Sequence, residues 1–213
     1  MSMTLEERKA KKYLWEHLRK EGYPTYAKIF YNFDFHFTDN PNAVGFLDNK
    51  DGSITLNREL DVESCSVVIR HEILHAYLQH HKRMIAHLAK QRGLDPDKLD
   101  DLSLNELLRD IYMDPDRLDN IAGDYEISNR GYTRKDKAAV RRILINGRTV
   151  SGLVTEDDHP DWTDLSIEEM YDKLNEIRQT RVTRGFLLDD TTFVAPDGTV
   201  YGIGDMPKTV SKF

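Results

Sequence analysis

The segment His71-Glu72-Ile73-Leu74-His75 has the residue types and the spacing of a zinc site that activates water. On a helix, residues four positions apart lie about 40° from each other around the axis, so both imidazoles can reach one ion. Glu72 lies about 100° round from His71, where its carboxylate can reach a water on the metal without being a ligand. The metal would lower the pKa of this water to about 7, and Glu72 would take its proton.

The residues around this motif predict that both histidines are on the buried face of their helix. Five apolar side chains fall within about 60° of His71 on the helical wheel: Val67, Val68, Leu74, Leu78 and Ile85. A buried imidazole without a partner is costly, and a metal ion would be such a partner. The alternative is that His71 and His75 are core histidines that bind no metal.

Three more histidines follow on the same predicted helix. We expect His80 and His87 to face solvent, because they lie about 180° and 160° from His71. His81 has the spacing of the third ligand in proteases with the pattern H-E-x-x-H-x-x-G-x-x-H, but Leu78 stands where that pattern has glycine. On an unbroken helix His81 is about 15 Å along the axis from His71, and we therefore reject it as a ligand.

A catalytic zinc ion takes a third protein ligand, and the sequence offers three candidates. Glu106 lies in Asn105-Glu106-Leu107-Leu108-Arg109-Asp110, which resembles the N-E-x-x-x-D helix of thermolysin-like proteases, although its gap from His75 is longer than usual there. Asp124 and Glu126 lie on opposite flanks of the apolar face of a later predicted helix. Helical geometry alone does not choose between them.

Four segments, in this order, together resemble a family of bacterial and phage zinc metallopeptidases that often carry a von Willebrand A-like domain. They are Ile54–Asn57, the H-E-I-L-H motif with Gln79-His80-His81, the pattern Ala122-x-Asp124-x-x-Ile127, and Leu165–Leu174. The resemblance covers about residues 20–175. It implies Asp124 as the third ligand, a zincin-like fold, and a strand before the active-site helix that binds extended substrate. Ser128 departs from the family pattern, which generally has asparagine there, and Asn129 is the candidate replacement.

A peptide hydrolase also needs a hydrogen-bond donor that stabilises the negative charge developing on the scissile carbonyl oxygen. Three side chains close to Asp124 in the sequence are candidates for this role: Tyr125, Arg130 and Tyr132.

The elements that must position these residues are predicted to form an α+β fold. A helix from Thr4 to about Lys20 has capping-box spacing between Thr4 and Glu7. Short strands are predicted over residues 31–37, 43–47 and 53–57, in a small, mainly antiparallel sheet. The active-site helix is predicted from an N-cap at Asp61 to about Arg92.

Further helices are predicted after the active-site helix, one with Asp114 as N-cap and Pro115 as its first residue. Residues 129–163 are predicted to be rich in loops, and Ser166 to Glu169 form a capping box that opens another helix. Pro196-Asp197-Gly198 predicts a hairpin turn between residues 191–195 and 199–203. We expect a zincin-like metallopeptidase domain over residues 1–178 and a short β-prone tail over residues 179–213.

The composition limits the classes of protein to which the chain can belong. The chain has 213 residues, of which 39% are apolar and 31% charged, and its net charge of −7 argues against a nucleic-acid-binding surface. Cys65 is the only cysteine, so no internal disulfide can form and a reducing compartment is expected. The first 20 residues lack the apolar core of a signal peptide, and no stretch approaches the roughly 20 apolar residues that span a bilayer. We therefore expect a cytoplasmic protein that does not bind membranes.

Three hypotheses about function follow from the sequence. The first is a zinc-dependent hydrolase, specifically a metallopeptidase with a protein or peptide substrate and Glu72 as general base. The second is a non-catalytic zinc-binding module that interacts with or regulates a partner. The third is a protein without metal, in which the histidines of the motif are packing residues.

Overall fold

The computed structural model describes residues 2–48, 51–145, 148–149, 160–184, 186–189, 192–194 and 200–202. Over these residues the fold is mixed α+β and mostly helical. Its α-helices are α1 (Leu5–Lys20), α2 (Pro24–Tyr31), α3 (Val62–Tyr77), α4 (His80–Gln91), α5 (Asp101–Met113), α6 (Leu118–Arg130), α7 (Arg134–Val140) and α8 (Ile167–Arg184). Its strands are β1 (Asp34–Thr38), β2 (Gly45–Asp48), β3 (Ser53–Asn57), β4 (Leu144–Ile145), β5 (Arg148–Thr149), β6 (Phe186–Asp189), β7 (Thr192–Val194) and β8 (Val200–Gly202).

The chain divides into two units, Met1–Glu168 and Glu169–Phe213. The second unit holds most of α8 and an antiparallel sheet in the order β6-β7-β8. Phe193 of β7 pairs with Tyr201 of β8, which confirms the predicted strand pairing, while residues 195–199 of its turn lie outside the described residues. The predicted boundary between residues 178 and 179 falls within α8 and stays a prediction.

The sheet of the first unit has the order β1-β3-β2, with β3 in the centre and every residue of β3 buried. Ile54 pairs with Phe35 of β1 in a parallel ladder and with Leu47 of β2 in an antiparallel one. The prediction of a mainly antiparallel sheet is therefore wrong, because the alternation of side chains reveals strands but not their neighbours. Since β3 is paired on both sides, it cannot bind an extended substrate as the family resemblance implied.

The hydrophobic core lies between this sheet and helices α1, α2 and α3. Its fully buried members include Leu18, Phe30, Phe35, Ile54 and Ile69. Burial of such side chains stabilises the fold by about 1.5–3 kcal/mol each before conformational entropy is subtracted. The core thus fixes the N-terminal half of α3, the helix that carries the H-E-x-x-H motif.

Local capping signals set the start of α1, as predicted. The Thr4 backbone N–H donates to Glu7 Oε2 at 2.7 Å, and the Glu7 N–H donates to Thr4 Oγ1 at 3.2 Å, which completes the capping box. Helix α2 was not predicted. Gly22, with φ of +88°, lies shortly after the end of α1. Pro24 is the first residue of α2, a position where the backbone N–H that proline lacks would have no partner within the helix.

The predicted long helix from Asp61 to Arg92 is two helices. Asp61 is the N-cap as predicted, since its Oδ1 accepts from the Ser64 N–H at 2.7 Å. Helix α3 ends at Tyr77, and Gln79 takes the left-handed conformation with φ of 55° before α4 begins. This conformation costs a non-glycine residue about 1–2 kcal/mol, so tertiary contacts made by α4 must offset it.

The predicted helix start at Asp114 is also wrong. Asp114 follows the last residue of α5, and its Oδ1 accepts from the Asp116 N–H at 3.0 Å in a turn. Helix α6 begins at Leu118, after Arg117 in the left-handed region with φ of 49°. Helix α8 begins at Ile167, directly after the predicted cap. In the part of the chain described, no helix combines the length and the apolar character that crossing a membrane requires.

Candidate metal centre

Helices α3 and α6 bring together the side chains of His71, His75 and Asp124. The Nε2 atoms of His71 and His75 are 2.9 Å apart, and each is 3.0 Å from Asp124 Oδ1. His71 and Asp124 are buried, and the side chain of His75 is 20% exposed. Among the described residues, these three form the one group of histidine, cysteine and acidic side chains that could hold a metal ion.

The donor atoms of this cluster fit a first-row divalent ion. Two imidazole nitrogens and one carboxylate oxygen are ligands that zinc accepts, although other ions of this row take the same set. A triangle with sides of 2.9–3.0 Å has its corners about 1.7 Å from its centre, so an ion at about 2.0–2.1 Å can reach all three atoms. The cluster can therefore hold a metal ion, and the donor atoms alone do not determine which one.

The other polar atom of each side chain in the cluster has a protein partner. His71 Nδ1 lies 2.7 Å from Tyr132 Oη, and His75 Nδ1 lies 2.9 Å from His80 Nδ1. Asn120 Nδ2 donates to Asp124 Oδ2 at 3.1 Å. Such outer partners fix the rotation of metal-binding side chains, and here they direct two Nε2 atoms and one Oδ1 atom to the same point.

The charges within the cluster stabilise one another. Burial opposes ionisation of Asp124, but the adjacent imidazoles outweigh it and hold the pKa of Asp124 below its ordinary value. Burial likewise opposes the charged form of His75, but its hydrogen bond to Asp124 and the charge of Asp124 raise its pKa. Burial, with a smaller contribution from Asp124, raises the pKa of Tyr132, which therefore keeps its hydroxyl proton. The cluster is thus a place where a carboxylate is kept ionised by facing groups that can carry positive charge.

Glu72 lies at the side of the cluster and is not one of its three converging residues. Its Oε2 accepts from the backbone N–H of Leu47, on strand β2, at 3.1 Å. Glu72 and His75 line the same open cleft of about 570 Å³, together with Phe46, Tyr112 and Asp119. The motif therefore places the His75 imidazole and the Glu72 carboxylate on the wall of one open cleft.

Comparisons of the chain with protein-family models, with curated proteins and with solved structures found no match. The resemblance to zinc metallopeptidases, and the zincin-like fold that it implies, therefore stay predictions. The described structure is α+β with a small mixed sheet, and the positions of the site residues carry any functional proposal.

The structure separates the three candidates for the third ligand. Asp124 lies with the two histidines of the motif, whereas Glu106 is exposed on α5. Glu126 is fully buried and faces away from the cluster, with its Oε2 2.9 Å from His80 Nε2. Because helical residues two positions apart lie about 200° from each other, α6 presents Asp124 and Glu126 to different neighbours.

The prediction that His80 faces solvent is wrong. His80 is 4% exposed and lies between His75 and Glu126, because the break at Gln79 rotates α4 relative to α3. Burial lowers the pKa of His80, although its hydrogen bond to Glu126 acts in the opposite direction. His81 is exposed, with its ring centroid 5.7 Å from that of Tyr112. His87 is only partly exposed, and its Nε2 lies 3.0 Å from Gln91 Nε2.

The three candidates for the oxyanion donor occupy different places. Tyr132 Oη contacts His71 as described above, so this tyrosine acts on the orientation of a cluster residue. Tyr125 is buried, with its ring centroid 5.3 Å from that of Trp162. Arg130 Nη1 lies 2.9 Å from Glu126 Oε1. Their role in stabilising an oxyanion stays a prediction.

The neighbours of the cluster on α6 include one residue that the sequence reasoning missed. Gly123 lies so close to α3 and α4 that a Cβ atom on it would be 2.8 Å from His80 Nδ1 and 2.9 Å from His75 Cε1. The signal was available, since glycine inside a helix costs about 1 kcal/mol relative to alanine and indicates a close approach. Asn129, the predicted replacement for the family's asparagine, donates from Nδ2 to the Trp162 backbone oxygen at 3.2 Å.

Proposed function

We propose that this chain is a zinc-dependent hydrolase, specifically a metallopeptidase that cleaves peptide bonds in a protein or peptide substrate. The observation that carries the proposal is the convergence of His71, His75 and Asp124 on one point, beside Glu72 and an open cleft. A zinc ion, when bound, supplies a Lewis acid that makes water a good nucleophile at neutral pH and polarises a carbonyl group. The remaining steps belong to the side chains of the protein.

In this proposal Glu72 is the general base. Its Oε2 is held by the Leu47 N–H, which leaves Oε1 to accept the proton of the attacking water. The same carboxyl group then delivers this proton to the leaving amine.

Strand β2 supports an extended substrate better than β3 does. β2 is an outer strand of the described sheet, while β3 is paired on both sides. Leu47 on β2 contacts Glu72, and Phe46 lines the cleft. A peptide that pairs with the outer edge of β2 would therefore pass beside Glu72.

The proposal is tested with wild type and Glu72→Gln, each measured for zinc per chain and for cleavage of a peptide library followed by mass spectrometry. We expect about one zinc per chain in both proteins, since Glu72 is not a ligand. Cleavage is expected to fall by about 10²–10⁴-fold in the variant, because the amide cannot accept a proton. Equal cleavage by both proteins would contradict the proposal and indicate a contaminating protease.

Two other outcomes distinguish the remaining hypotheses. Zinc in wild type without cleavage of any peptide would favour the non-catalytic zinc-binding module. Absence of zinc in wild type, with none taken up on titration, would favour core histidines without metal.

A further inference from the structure

We propose that His80 is a positioning residue that sets the tautomer of His75, and that the buried Glu126 sets the tautomer of His80. This inference rests on the proposed metal site, because the tautomer matters only if His75 binds through Nε2. The two residues extend the site from the converging atoms into the interior between α4 and α6. No sequence pattern pointed to either of them for this role.

The contacts form a series of hydrogen bonds that starts at His75 in the cluster and ends at Glu126. His75 Nδ1 is 2.9 Å from His80 Nδ1, and the two rings are nearly perpendicular, at 88°. His80 Nε2 is 2.9 Å from Glu126 Oε2. His80 is 4% exposed and Glu126 is 0% exposed, so water does not compete for these hydrogen bonds.

The positions of the protons on the His75 and His80 rings follow from Glu126, the acceptor at the end of this hydrogen-bond series. An ionised carboxylate only accepts, so His80 must carry its proton on Nε2, toward Glu126. Neutral His80 then has a lone pair on Nδ1, which accepts a hydrogen bond from the Nδ1–H group of His75. His75 is left with a bare Nε2, which is the nitrogen that lies next to His71 and Asp124.

Glu126 can be the ionised acceptor of this hydrogen-bond series because two arginines compensate its negative charge. Arg83 Nη1 donates to Glu126 Oε2 at 2.8 Å, and Arg130 Nη1 lies 2.9 Å from Oε1. Arg83 is held in turn by Glu168, which accepts from Nε at 2.9 Å and from Nη2 at 2.7 Å. A two-point arginine–carboxylate contact of this kind restricts the guanidinium group and, through it, Glu126.

The backbone is shaped to bring His80 against His75. Gln79 takes a left-handed conformation directly before His80, and Gly123 has no side chain where these two rings meet. Both features cost stability by themselves, about 1–2 kcal/mol for the left-handed Gln79 and about 1 kcal/mol for a glycine within a helix. Their location at the same contact supports a role for His80 in holding His75, beyond filling space.

The first test is the tautomeric state of zinc-loaded wild type, measured by nitrogen-15 NMR of the histidine rings. We expect His75 to be protonated on Nδ1, and His80 to be protonated on Nε2 and bare on Nδ1. A proton on His80 Nδ1 would overturn the proposal. This measurement uses the unmodified chain, so it does not depend on whether a variant folds.

The second test compares zinc affinities, measured by competition with a chromophoric chelator, for wild type, His80→Ala and His81→Ala. We expect His80→Ala to bind zinc about 10–100-fold more weakly, the usual effect of losing an outer partner of a ligand. His81→Ala, which changes the adjacent exposed histidine, is the matched control and should keep the wild-type affinity. His80→Asn should recover part of the loss, because its side-chain oxygen can accept near the place of Nδ1.

The outcomes separate this inference from the proposed function. If wild type binds no zinc, the metal site itself is wrong. If wild type binds zinc and His80→Ala binds it equally well, the site stands and the positioning role of His80 is wrong. Unfolding by urea is measured for each variant without zinc, to check that it is folded. An equal loss of zinc affinity in His80→Asn and His80→Ala would indicate that His80 has a packing role only, and would overturn the positioning role.

Discussion

His75 and His80 bring their Nδ1 atoms to 2.9 Å from each other, although five positions on a continuous α-helix would place them about 140° apart. The left-handed Gln79 makes the difference, because it ends α3 and lets α4 leave in another direction. The helix that carries the H-E-x-x-H motif is therefore tied at its end to the interior of the protein.

Replacing Asp124 by alanine is expected to remove the metal. Its Oδ1 is 3.0 Å from both Nε2 atoms of the cluster, and its side chain is only 2% exposed. The loss of zinc affinity should exceed the roughly 10–100-fold that follows from losing an outer partner. Chelator competition measures the affinity, and Glu106→Ala is the control that should bind as wild type. Wild-type affinity in Asp124→Ala would move the third ligand to another carboxylate.

Gly123→Ala is expected to weaken zinc binding even though alanine favours a helix by about 1 kcal/mol. The new methyl group would lie 2.8 Å from His80 Nδ1 and 2.9 Å from His75 Cε1, so both rings must move. Zinc titration and circular dichroism separate the loss of affinity from any change in helix content. Ser128→Ala, also on α6, is the control, because the buried Ser128 hydroxyl has no hydrogen-bond partner among the described residues. A Gly123→Ala protein with wild-type affinity would contradict the close contact.

Asp136→Ala is expected to destabilise the fold by about 3–5 kcal/mol, because it leaves the buried Arg70 without its carboxylate. Arg70 Nη1 donates to Asp136 Oδ2 at 3.1 Å, its guanidinium lies 3.9 Å from the centre of the Tyr23 ring, and its side chain is 4% exposed. Urea denaturation measures the change in the free energy of unfolding. The double variant Arg70→Met with Asp136→Leu should lose less than Asp136→Ala, since no charge stays buried.

The control for this ion pair is Arg58→Ala. Arg58 pairs with Glu6 and Asp39 at the surface, where its side chain is 45% exposed. Exposed pairs contribute little because water and salt screen them, so no clear change in unfolding is expected. A loss in Arg58→Ala as large as that in Asp136→Ala would show that burial is not the cause.

The contribution of Glu7 to stability is expected to depend on pH. Burial opposes its ionisation, but hydrogen bonds from Thr4 and Phe37 dominate and lower its pKa from 4.5 to about 2. Since the pKa is lower in the folded state, the stabilisation is complete above pH 4.5 and is lost as the pH falls toward 2. Glu7→Gln should therefore be less stable than wild type at pH 7, with a difference that shrinks below pH 4.5. A difference in unfolding free energy that stays constant from pH 7 to pH 3 would contradict this explanation.

The residues of the H-E-x-x-H motif and the caps of α1 and α3 were readable from the sequence. These features depend on spacing within one turn of helix, and that spacing is the same in nearly every protein. The capping box of α7, between Thr133 and Asp136, has the same kind of local signal, although residues 129–163 are predicted to be rich in loops. The α+β character followed from the alternation of apolar residues in the short strands.

Only the tertiary structure decided which residues meet across elements. Helical geometry alone did not distinguish Asp124 from Glu126. In the structure, α3 brings His71 and His75 next to Asp124, and α4 brings His80 and Arg83 next to Glu126. The break at Gln79 had no local signal, because a left-handed glutamine is unfavourable by itself and persists only when long-range contacts offset its cost. The amino-acid sequence alone thus determined the candidate ligands along each helix. The packing of α3, α4 and α6 determined which candidate ligands converge, because each buried carboxylate of α6 finds its partners on another helix.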